Sequence, residues 1–202
     1  AESGRTYLSK GFVKEAKALA KYNVEKLSSL VSSEVPIVGI EPSAILTLRD
    51  EYLDLADEDW KSAADHLAKA SLTFEEFLDR EMRAGRVSKT AFTSEAKQLK
   101  IHGHCYQKAF QLMQHTVNVL SLPENYKTEL IASGCCGMAG SFGYEKEHFD
   151  VSMKIAELVL LPTVRQSDSE TCIVAAGMSC RHQIKDGAAR RAYHPVEVLY
   201  EA

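Results

Sequence analysis

Three short segments concentrate the reactive side chains of this sequence. They are His102-Gly103-His104-Cys105, the glycine-rich run from Gly134-Cys135-Cys136-Gly137 to Gly143, and Gly177-Met178-Ser179-Cys180-Arg181-His182. All five cysteines lie in the second half of the chain: Cys105, Cys135, Cys136, Cys172 and Cys180. An odd count with one adjacent pair makes a poor disulfide framework, and thiols kept reduced in the cytoplasm are the better reading. Two vicinal thiols on a turn gain little from packing, so their presence there points to metal or redox chemistry. Four thiolates, from Cys105, Cys135, Cys136 and Cys180, suit an iron–sulfur cluster or zinc, because soft and borderline metals match soft ligands. Glycines such as Gly134 and Gly137 let the backbone bend sharply and bring N–H groups towards anionic sulfur.

The other candidates are weighed the same way. His102, His104 and His182 flank the thiols and could ligate, donate hydrogen bonds or cap helices. His104 leads because it adjoins Cys105. Cys172 sits early in an apolar run and is expected to pack inside a strand, pointing away from the turn. The loop from Gly134 to Gly143 lacks the Lys-Ser/Thr ending of a phosphate loop, which argues against nucleotide binding. A metal-free thiol–disulfide relay among the same cysteines is the remaining chemical alternative.

These residues must be positioned by α/β units, since short β-rich runs alternate with amphipathic stretches. Strands are expected at Pro36 to Ile40, Leu99 to His102, Thr128 to Ser133 and Thr171 to Ala176. Helical spacing recurs from Phe12 to Leu27, from Tyr106 to Leu120 and from Phe149 to Leu160, and a polar helical region runs from about Ile45 to Gly85. A short helix follows His194-Pro195. In a parallel sheet the three reactive turns fall at one edge, the carboxyl ends of the strands, with helix N-termini behind them. The 202 residues, 45% hydrophobic, suffice for a real core. A net charge of −4 offers no broad basic face for nucleic acid or anionic membrane. No apolar run approaches the roughly 20 residues that span a bilayer.

An internal repeat organises the chain. Glu2-Ser3-Gly4 with Gly11 parallels Cys135-Cys136-Gly137 with Gly143. Ile37-Val38 with Pro42-Ser43-Ala44 parallels Ile173-Val174 with Met178-Ser179-Cys180. Thr73 to Leu78 parallels His194 to Leu199. Two pseudo-repeated subdomains are therefore expected, residues 1–92 and 93–202, the first incomplete and cysteine-free. A first sheet lacking a neighbour could pair with another molecule through its open edge.

Cys105, then Cys135-Cys136-Gly137, then a later glycine-cysteine turn resembles the CCG cysteine-rich domain found in heterodisulfide reductases and in the iron–sulfur subunit of glycolate oxidase. The run Gly137 to Glu145, Ser179-Cys180-Arg181-His182-Gln183 and His194-Pro195-Val196-Glu197 look most like the C-terminal region of long FAD-linked oxidases related to D-lactate dehydrogenase. The resemblance covers nearly the whole chain. It implies a 4Fe–4S-type cluster on the four cysteines, possible contacts from Gly134, Gly137, His104 and His182, and a flavin carried upstream in the same polypeptide. The module would pass electrons from oxidation of a 2-hydroxy acid to an acceptor the sequence does not identify; alone it should be catalytically silent. Structural zinc is the alternative. One departure stands out: Gly177 occupies the first position of the usual Cys-x-x-Cys.

Overall fold

The computed structural model describes residues 2–202, and the chain divides into two compact units, Ala1–Phe74 and Glu75–Ala202. The first contains α1 (Arg5–Ser9), α2 (Val13–Leu27), β1 (Ile37–Gly39), α3 (Pro42–Ile45), α4 (Glu51–Leu55), α5 (Lys61–Lys69) and β2 (Ser71–Thr73). Strands β1 and β2 pair in parallel, Ile37 opposite Ser71 and Gly39 opposite Thr73. Helix α6 (Phe74–Arg83) follows immediately. By its contacts the segment 75–92 groups with the second unit, whereas the repeat register had placed it with the first.

The second unit continues through β3 (Lys97–His102), α7 (Cys105–Ala109), α8 (Met113–Leu120), β4 (Tyr126–Leu130), α9 (Phe149–Glu157) and α10 (Leu160–Gln166). It closes with β5 (Cys172–Ala175), α11 (Met178–Ala188), β6 (Ala192–Tyr193) and α12 (Pro195–Tyr200). Its four strands run parallel in the order β4-β3-β5-β6. The chain is thus α/β with parallel sheets. Leu99 and Ile101 of β3 and Ile173, Val174 and Ala175 of β5 are buried, as strands covered on both faces require. β4 lies at the edge and carries exposed Lys127 and Glu129 side chains, which discourage further pairing. Leu160, Val164 and Ile184 from α10 and α11 pack with Ile173, Ala175 and Ala192, and that core also encloses Cys136 and Cys180.

Some expected elements are subdivided. The helix expected from Tyr106 to Leu120 breaks at Gln111, whose φ of 58° is left-handed, and the Leu112 N–H turns back to the Gln107 carbonyl. The stretch expected from Phe149 to Leu160 likewise becomes α9 and α10. Strands β2 and β6 were not anticipated, because two or three residues are too few to show alternation.

The two units share a local plan. Gly4 and Gly137, matched in the repeat, both have positive φ, 81° and 94°. A parallel pair, β1–β2 or β5–β6, comes just before each of the helices α6 and α12 along the chain.

Candidate metal centre

Because β3, β4 and β5 are parallel neighbours, the turns after them meet at one edge of the sheet. Cys105 is the first residue of α7, Cys135 and Cys136 lie in the loop after β4, and Cys180 sits in the first turn of α11. Neighbouring thiols in this group shift one another's proton affinity, Cys105 with Cys135, Cys135 with Cys136, and Cys136 with Cys180. The group runs inward, from exposed Cys105 through half-buried Cys135 to buried Cys136 and Cys180. At its inner end a ring nitrogen of His102 and the sulfurs of Cys136 and Cys180 all lie within 4.8 Å of one another.

Sulfurs this close share protons. The neighbouring Cys105 and Cys136 side chains hold the Cys135 thiol well below its usual range. The Cys136 thiol does the same for Cys180 against the cost of burial, with the His102 and His104 rings adding to the pull. Cys105 is pushed up by neighbouring Cys135 and then by burial, and Cys136 by Cys135, then Cys180, then burial. The Gly137 N–H lies 3.3 Å from Cys135 Sγ and donates to it. Burial draws the Lys108 ammonium down, while the sulfurs around it oppose that shift.

The supporting residues are specific. Gly137 has a φ of 94°, and a Cβ there would collide with the Ser152 carbonyl of α9. Gln183 of α11 donates to that carbonyl at 3.1 Å and to Ser152 Oγ at 3.0 Å, tying loop, α9 and α11 together. Lys108 Nζ donates to the Ser133 carbonyl and to Gly134 O at 2.9 Å, so Gly134 contributes an acceptor, and a Cβ on it would meet nothing. His104 caps α7, its Nδ1 accepting the Tyr106 N–H at 3.2 Å. His182 is exposed, its Nδ1 2.7 Å from the Tyr144 hydroxyl. Cys172 opens β5 at the end opposite the turns; it is half-buried rather than enclosed, and burial pushes its thiol up to about 11. Lys108 and Ser133 had no functional signal in the sequence, since each acts through contacts remote along the chain, and Gln183 stood out only as the last residue of the Ser179-Cys180-Arg181-His182-Gln183 motif.

In the first unit Glu2 and Ser3, which the repeat register aligns with Cys135 and Cys136, are held through their backbone carbonyls. Tyr52 Oη donates to the Ser3 carbonyl at 3.0 Å, and Asn23 Nδ2 donates to Glu2 O and Tyr52 Oη, each at 2.7 Å.

Comparison with known proteins supplies relatives along the whole chain. It is 28% identical over 202 residues to D-2-hydroxyglutarate dehydrogenase of Escherichia coli, covering 98% of this chain but 19% of that protein. It is 25% identical over 202 residues to one component of the anaerobic glycerol-3-phosphate dehydrogenase of the same species, covering 98% of this chain and 48% of that component. Lactate utilization protein A 1 of Bacillus mycoides is 26% identical over 214 residues, with 98% and 78% covered. The chain thus spans about a fifth of the hydroxyglutarate dehydrogenases and about half of the glycerol-3-phosphate dehydrogenase component. No family model and no solved structure matches it. Among the described residues no helix is long and apolar enough to cross a membrane.

Proposed function

We propose that the second unit is a CCG-type module holding a 4Fe–4S-type iron–sulfur cluster on Cys105, Cys135, Cys136 and Cys180. It would serve a flavin-linked oxidoreductase acting on a 2-hydroxy acid, with the flavin upstream in the same polypeptide. The observation that carries this reading is that four cysteines follow three neighbouring parallel strands, with Cys136 and Cys180 within 4.8 Å of each other and of a His102 ring nitrogen. The donor set fits the group: Cys136 and Cys180 lie within 4.8 Å of each other and of a His102 ring nitrogen, and thiolate sulfur is the ligand that iron–sulfur clusters take. Relatives named as dehydrogenases of a hydroxy acid and of glycerol 3-phosphate support the reaction class.

When bound, the cluster supplies one-electron transfer. The chain's own residues do the rest. Lys108 places positive charge beside the anionic sulfurs, the Gly137 N–H donates to Cys135, and His104 lines the inner wall. Exposed Cys105 marks the face through which an electron partner would approach. Zinc is a second reading with one observation in its favour, the compact trio of His102, Cys136 and Cys180 that would suit a single ion.

Anaerobic reconstitution of the protein with ferrous iron and sulfide, followed by visible absorption and metal analysis, tests the proposal. Broad sulfur-to-iron charge transfer with both iron and sulfide bound is expected. Zinc retained in place of iron would favour the second reading, and thiols that only oxidise to a disulfide would remove both.

A further inference from the structure

We infer that His102 is itself a ligand of the centre, through Nε2, and that His104 is a hydrogen-bond donor to it and not a ligand. This rests on the metal-centre reading above and reverses the order the sequence suggested, in which His104 led because it adjoins Cys105. His102 ends β3 and is 1% exposed. Its Nδ1 lies 2.8 Å from Ser133 Oγ, while its Nε2 is buried and has no hydrogen-bond partner. Native proteins seldom leave such a nitrogen unmatched unless an ion or water completes it. One nitrogen of this ring lies within 4.8 Å of both Cys136 Sγ and Cys180 Sγ. With Nδ1 engaged by Ser133, Nε2 is the one free to bond there.

The two rings differ in the proton their partners dictate. Ser133 Oγ can accept from Nδ1–H, which leaves the Nε2 lone pair of His102 available to a metal. His104 Nδ1 is met by the Tyr106 amide, and an amide N–H can only donate. The neutral His104 ring therefore carries its proton on Nε2, where it can donate to sulfur but has no lone pair to offer. Its ring packs beside Cys180: a Cβ built on Gly177 would lie 2.5 Å from His104 Cδ2 and 3.2 Å from Cys180 Sγ. Ser133 is then a positioning residue, its hydroxyl orienting His102 while Lys108 holds its carbonyl.

The full chain is loaded anaerobically with ferrous iron and sulfide, and separately with zinc, and X-ray absorption is recorded at the metal edge. Imidazole multiple scattering is expected in the wild type and in His104→Gln, and its loss in His102→Gln. His102→Cys should keep the metal, with sulfur scattering in place of nitrogen, which covers the case in which His102→Gln folds poorly. Ser133→Ala should weaken metal retention roughly 10–100-fold in a chelator competition, the range found for partners that orient a ligand. A wild type that binds metal through sulfur alone, or an imidazole signature that survives in His102→Gln, overturns the assignment and leaves the four-cysteine centre standing. A wild type that takes up neither iron nor zinc removes the centre, and the assignment with it.

Discussion

Gly177 and His104 are packed so closely that they should behave as one energetic unit. Gly177 caps α11 with φ −73° and ψ 132°, angles any residue adopts, so Gly177→Ala brings no backbone strain. Its cost is steric. The new methyl lies 2.5 Å from His104 Cδ2, and the buried ring must swing away, weakening the cap its Nδ1 makes on the Tyr106 N–H. Overpacking of this kind costs about 1–3 kcal/mol. His104→Ala removes the same cap, at about 1 kcal/mol, and opens a space. In the double variant the Gly177→Ala methyl enters that space, so the two costs should fall short of their sum by about 1–2 kcal/mol. Urea denaturation of the four proteins in the metal-free state, followed by circular dichroism, measures the cycle. Additivity within about 0.5 kcal/mol would refute the packing argument, since sites that do not touch behave that way.

Gly137→Ala should be costlier, about 2–4 kcal/mol, because a φ of 94° is unfavourable for a side chain and its Cβ strikes the Ser152 carbonyl; thermal melts check this. Asp79→Ala should destabilise by about 2–3 kcal/mol in urea titrations, since the buried carboxylate joins α6 to α8 through His115 at 2.6 Å and Asn118 at 3.1 Å, with Arg83 at 2.8 Å on its own helix. Burial pushes the Asp79 carboxyl up, but hydrogen bonds from His115, Arg83 and Asn118 together hold it below its ordinary value. A folded-state value below the unfolded one gives a contribution that is full above about pH 4 and lost as the pH falls through the lower folded value, so the wild type and Asp79→Asn should converge in stability on acidification. Cys172→Ser should cost less than about 1 kcal/mol, because the site is half-buried, and should leave metal content unchanged by elemental analysis. Loss of metal in that variant would place Cys172 at the centre.

The convergence of three turns was legible because each reactive segment follows an apolar run, and parallel strands put such segments on one edge. Choosing between His102 and His104 was not possible from spacing. Adjacency to Cys105 favoured His104, yet the outcome depends on which ring nitrogen a backbone amide or a serine engages. Ser133 meets His102 across 31 residues and Lys108 meets Ser133 across 25, contacts that exist only once β3 and β4 have paired. The break at Gln111 was equally hidden, since the apolar spacing from Tyr106 to Leu120 continues across it.

The strand order of the second sheet also bears on when the proposed centre could acquire its metal. β3 is central, and the turn after it meets Cys135 and Cys136 through β4 but Cys180 only through β5, which docks after the long excursion of α9 and α10. Closing loops of that length must be driven by the apolar core, before the last sulfur is in place. Chelation therefore cannot nucleate this fold as it does a zinc finger, whose ligands are close in sequence and whose folding is metal binding. On the proposed reading the metal would arrive at a finished protein, and the exposed thiol of Cys105 is where a donor would first hand it over.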